Sequence, residues 1–500
     1  MDFKKRKRIF NIAGGAVIVL WAVLIGLLVR KTAFRGNSEP VGTIQEGSGS
    51  VLSSQREWME IFLKGKKVGY SVNTVTRLAD NYLIQEDIFI RLSLLGQPNG
   101  IHTVTQSIVD HTFSLKNFRF KMISGMVSFQ VTGKVEGSLM RLEFGGSPGK
   151  RSQVIRLSRP PVIGSALSYY FKGRNLAVGE SFRFPIFDPS TMAQKEMRIK
   201  VVGREDVTIA RVKHPAFRLE TRMWGQPMTF WLDEKGTVLK EKGFMGFTLI
   251  KSSAANAPRN IEGGESDFYE MAAISVDKPL PRAKELTYLK LRIKGLQETG
   301  FDTTVLNTGR QRLNEGTVEI RRERVPAMPS YKLPFKDEMG AMGVYLRPEV
   351  NIESDDPAIV HKAQEIAGDA KDPVLVAKRL TAWVYSKLEK KPLVMVPSAA
   401  EVLKTRVGDC NEHAVLLTAL LRAAGIPARV CVGIVYARNK FYYHAWTECF
   451  LGNWVSVDAT INQVPADATH IKLVEGGLDK QVEIVRLMGR IALEVLDYKY

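Results

Sequence analysis

Gly408-Asp409-Cys410 begins the deciding stretch, and an apolar segment follows, closing on Arg422-Ala423-Ala424-Gly425-Ile426-Pro427-Ala428-Arg429. Beyond it lie His444-Ala445-Trp446 and Trp454-Val455-Ser456-Val457-Asp458. Asp409 or Gly408 can cap a helix whose first turn holds Cys410. Ala414 to Ala424 are apolar nearly all round, as in a buried helix, while Gly425 stops it and Pro427 prevents its restart. Free N–H groups and the dipole at such a helix start favour a thiolate and can hold an oxyanion. Asp409 and Glu412 oppose the thiolate, so a cation such as protonated His444 is required beside it.

His444, Trp446, Glu448 and Phe450 share one face of the next strand. If Leu451-Gly452-Asn453 is a three-residue hairpin loop, Phe450 pairs with Trp454. Asp458 then lies diagonally from His444 on the same face, within side-chain reach. A two-residue loop would put it on the opposite face. Cys410, His444 and Asp458 thus read as nucleophile, base and orienting carboxylate for acyl chemistry through a thioester. A zinc site from Cys410, His413, His444 and Asp458 is the competing reading of the same residues. Trp446 or Trp454 would wall off the site or simply fill the core. His102, His111, His214, His361 and His470 are scattered and read as ordinary surface or structural residues.

These motifs closely resemble the core of transglutaminase-like proteins of the papain-type superfamily, over roughly Asp356 to His470. The resemblance implies a C-terminal α+β domain with Cys410, His444 and Asp458 in the catalytic positions. It implies a protease, amidase or cross-linking enzyme acting on a peptide or amide-bearing protein substrate. The alternative is a catalytically silent scaffold or binding protein that keeps the fold. No calcium-loop signature of the animal enzymes occurs, and neither cofactor nor metal is expected.

Outward from this core, the chain of 500 residues is too long for one domain. Its net charge is +19; eight basic residues and one acid in the first 35 positions contribute +7 of it. The remaining surplus is spread thinly, which speaks against nucleic-acid binding. The three cysteines, Cys410, Cys431 and Cys449, form no disulfide framework or CxxC spacing. Cys431 and Cys449 are buried thiols or, in an oxidising compartment, a disulfide.

Ile9 to Val29 is uncharged and about as long as a membrane-spanning helix requires. The reading is a cytoplasmic tail (1–8), a transmembrane helix serving as signal anchor (9–29) and a Gly/Ser-containing linker (30–57). The bulk of the chain would then lie outside a bacterial inner membrane, in the envelope, where an envelope protein could dock on the β region. Period-2 alternation predicts antiparallel β structure over 58–252, in one or two units. A bridging region (253–340), the catalytic domain (341–475), with Asp372-Pro373 starting a helix, and a C-terminal extension (476–500) complete an α+β assignment.

Overall fold

The computed structural model describes residues 54–500 except 95, 125–126, 146–150, 224, 264–266, 337–339, 392–397 and 477. The described chain divides into two compact units that meet in sequence at Asp267 and Phe268.

The first unit is one sheet of 15 strands. Alternation drives it: in Asn81–Leu94, Ile84, Ile88, Ile90, Leu92 and Leu94 are buried between more exposed neighbours. Two meanders meet at the antiparallel pair Gln55–Leu63 and Phe247–Ser252. The edge strands, Ser152–Arg156 and Val162–Ile163, are joined by only 157–161. Five residues reach at most about 20 Å, so the sheet must curl until its edges approach. Phe118 and Phe187, on strands far apart in sheet order, accordingly bring their rings to 5.3 Å.

The longer helices of the second unit among the described residues are Pro357–Ala367, Pro373–Lys387, Ala399–Thr405 and Cys410–Ala423. The first two begin with an aspartate cap followed by proline: Asp356 and Asp372 accept from the N–H groups of Ala358 and Val374. A five-stranded sheet carries Lys440–Phe450 between Ala428–Ala437 and the short strands Ile274–Ser275 and Trp454–Val457, with Ile471–Glu475 outside Ala428–Ala437. A second sheet pairs Tyr288–Lys294 with Thr317–Arg321 on one side and Ala492–Lys499 on the other.

The α+β assignment is corrected here: strand far outweighs helix among the described residues. The region at 253–340 and the C-terminal residues pair with each other across some 200 positions, a non-local contact that local periodicity cannot reveal. The expected transmembrane helix is likewise unsupported. No helix among the described residues is long and apolar enough to cross a membrane. Ile9–Val29, the tail and most of the linker lie outside the described residues. That expectation rests on the apolar length of 9–29, the basic residues flanking it and the poor cleavage site after it.

Candidate active site

Asp409 caps the Cys410–Ala423 helix. Its side chain accepts from the Asn411 N–H at 3.3 Å, and Glu412 Oε2 accepts from the Asp409 N–H at 2.9 Å. Gly408 permits this reciprocal arrangement, since a Cβ there would lie 2.2 Å from the Glu412 Cβ. Burial pushes both carboxyls up; Glu412 raises Asp409 further, well above the ordinary range, while the hydrogen bonds with Asp409 pull Glu412 back down. Tyr269 donates to Asp409 Oδ2 at 3.4 Å.

The cap places Cys410 in the first turn, fully buried. Its Sγ accepts from the Ala445 N–H at 3.3 Å, beside the His444 peptide. Burial first, then the Asp409 carboxyl, pushes the thiol well up, while the Ala445 N–H pulls the other way. The resting sulfur is therefore a thiol.

His444 lies opposite Gly433 in the paired strands. The hairpin after it has the three-residue loop 451–453, with Phe450 facing Trp454 and Thr447 facing Val457. Asp458 follows that strand on the face of His444. His444 Nε2 donates to Asp458 Oδ2 at 2.7 Å. That bond leaves Nδ1 as the ring's acceptor, a tautomer assigned from the hydrogen-bond network. Asp458 Oδ1 accepts from the Thr460 N–H at 2.7 Å. Burial would raise this carboxyl, but His444 and then His470 hold it well below the usual range.

His470, assigned no role from sequence, is the second donor to Asp458 Oδ2, from Nε2 at 3.1 Å. Its Nδ1 faces Asp467 Oδ1 at 3.3 Å, and Asp467 itself accepts from the Thr469 N–H and hydroxyl and from Gln463. A repeated tripeptide was the available signal. Asp458-Ala459-Thr460 and Asp467-Ala468-Thr469 each form the same turn, with Oδ1 taking the N–H two residues on. Trp446 lines the same place, its ring 6.3 Å from His444 and 5.3 Å edge-on to His470. Trp454 instead sits against Arg429, 4.3 Å away.

His413 Nδ1 donates to the Asp409 carbonyl and Nε2 has no partner among the described residues. Burial lowers this imidazole to about 4, so it is neutral. Among the described residues, the side chains near enough to one another to hold a cation are His444, Asp458 and His470, without Cys410 or His413. Their N–O separations of 2.7 and 3.1 Å are shorter than the roughly 3.3 Å between ligands around a tetrahedral zinc and fit hydrogen bonds. Cys431 and Cys449 are free. Cys431 faces Trp446 and Cys449 faces Ala428, an offset of three positions or about 10 Å along the strands, beyond disulfide reach.

Gly433, opposite His444, has no room for a side chain. A Cβ would come within 1.9 Å of the Ile471 carbonyl oxygen and 2.8 Å of the Trp446 ring. Gly433→Ala is expected to force the strands apart under His444 and cost about 1–3 kcal/mol in urea denaturation.

Residues 360–459 match the model of the transglutaminase-like superfamily, and 106–246 match that of a protein family of unknown function, DUF3108. No curated relative matches the chain. Among solved structures, a candidate cysteine protease from Cytophaga hutchinsonii is 20% identical, with 43% of this chain and 86% of that one covered and a TM-score of 0.29. A candidate protease from Parabacteroides distasonis is 12% identical, with 76% and 70% covered and a TM-score of 0.19.

Proposed function

From a chain whose residues 360–459 form a transglutaminase-like core, we propose a cysteine-dependent acyl-transfer enzyme acting on a peptide or amide-bearing protein. The observation that carries this reading is the 2.7 Å bond from His444 Nε2 to Asp458, with Cys410 Sγ on the adjoining Ala445 N–H.

His444 Nδ1 takes the proton of Cys410 as the sulfur adds to the acyl carbon. The tetrahedral oxyanion collapses, the C–N bond breaks, and the leaving amine takes the proton from the imidazolium. A thioester on Cys410 remains. Water, deprotonated by His444, attacks that thioester; the C–S bond breaks, the acid is released and the sulfur regains its proton. An amine in place of water gives cross-linking. Asp458 steadies the imidazolium in both halves. Because the thiol is protonated at rest, proton transfer accompanies attack and does not precede it.

Intact-mass analysis with an activated acyl-peptide ester tests this. An acyl adduct is expected on Cys410 and none on Cys410→Ala, and added primary amine separates transfer from hydrolysis. An adduct persisting in Cys410→Ala would sink the reading.

Complete burial of Cys410 favours a second reading, a scaffold that retains the core without turnover. Cys410→Ala in the cell separates the two. A scaffold keeps its function, and an enzyme loses it at unchanged protein level.

A further inference from the structure

Each ring nitrogen of His470 faces a carboxylate oxygen: Nε2 that of Asp458, Nδ1 that of Asp467. An ionised carboxylate only accepts, so both nitrogens must carry protons and the ring is an imidazolium. Asp458 Oδ2 is thus shared between two imidazoles, whose centroids are 5.8 Å apart. The mechanism above uses one of them.

We propose that His470, clamped between Asp467 and Asp458, is a positioning residue for the Cys410–His444 pair. It fixes Asp458 Oδ2 and offsets part of its negative charge, and so weakens the pull of that carboxylate on the His444 ring. This rests on the acyl-transfer reading and deepens it. Consistent with the geometry, Asp467 and then Asp458 overcome burial and raise His470 to about 9.

The charged and titratable groups around the clamp come from several elements. Asp467 lies on its own loop, Asp458 on the preceding one, and His444 on the Lys440–Phe450 strand. Arg310 donates to the carbonyls of Ala466 and Asp467 at 3.4 and 2.6 Å, steadying the loop from the other side. Lys472, two residues on, is turned to Glu448 and Glu475. His413, neutral, lies in the field of Asp458 and His444. Only Asp458 and Asp467 are hydrogen-bonded to His470 among the described residues. The sharing of Asp458 between two rings sets this proposal apart from a buried histidine that merely fills space.

The test is the titration of the His444 ring, read from ring-carbon resonances of histidine-labelled full-length Cys410→Ala protein and assigned with His444→Ala. Adding His470→Gln keeps a donor for Asp458 but removes the charge. The His444 midpoint is expected to rise by about one pH unit, as removing a like charge at this distance requires. Asp467→Asn, which frees His470 to lose its proton, is expected to move it the same way by less, and it carries the test if His470→Gln does not fold. An unmoved or lowered midpoint overturns the proposal. The reading taken without chemistry at sulfur keeps the two failures apart. If no acyl adduct forms but the midpoint shifts, acyl transfer fails and the clamp stands.

Discussion

Asp458→Asn is expected to slow acylation of Cys410 by about 10^3- to 10^4-fold with the backbone unchanged, measured by stopped-flow with an activated acyl ester. The cause is a tautomer. Oδ1 of residue 458 must still accept from the Thr460 N–H. The asparagine NH2 would therefore replace Oδ2 and point at His444 Nε2. A donor there forces the ring proton onto Nδ1, the nitrogen left to receive the thiol proton. His444 could then no longer act as base, although every heavy atom kept its place. Asp458→Ala is the contrasting variant. It takes away one of the two carboxylates that hold the His470 imidazolium and the partner of His444 Nε2, and is expected to cost roughly 3 kcal/mol of stability. A small rate effect in a well-folded Asp458→Asn protein would mean that the carboxylate does not orient the base.

Stability should fall on both sides of neutrality, and each limb has an assignable group. His470 is raised in the folded protein to about 9. Its contribution is fully present below the unfolded value near 6.5 and is lost as pH rises through about 9. A shift of this size corresponds to something on the order of 3 kcal/mol. Asp458 and Asp467 are depressed by the histidines beside them. Their contribution is present above the unfolded value near 4 and disappears as pH falls through their folded ones. Urea midpoints between pH 6 and 10 should therefore decline in the wild type and flatten in His470→Gln. Parallel declines in both proteins would assign the alkaline loss elsewhere.

How much of this was legible in sequence follows from the range of each contact. The Cys410 helix could be read because its cap, apolar body and Gly425 stop are all local. The relation of His444 to Asp458 could be read because one loop length sets the register between them. His470 could not, because its role depends on a loop folding back through Val464 and Pro465 to bring a second Asp-Ala-Thr turn beside the first. The large sheet was legible as alternation but not as a single curled layer, since strand order is non-local where the two meanders meet. The overall class was misjudged for the same reason. Residues 288–321 and 492–499 find each other only in three dimensions.

The central claim is that the sulfur of Cys410 becomes reactive through His444. A peptide amide mimic bearing a thiol-reactive electrophile, followed by peptide mapping, tests it most directly. The expected result is modification at Cys410 in the wild type and its loss in His444→Ala, with Cys431 and Cys449 untouched in both. Equal modification of Cys410 with and without the imidazole would contradict it.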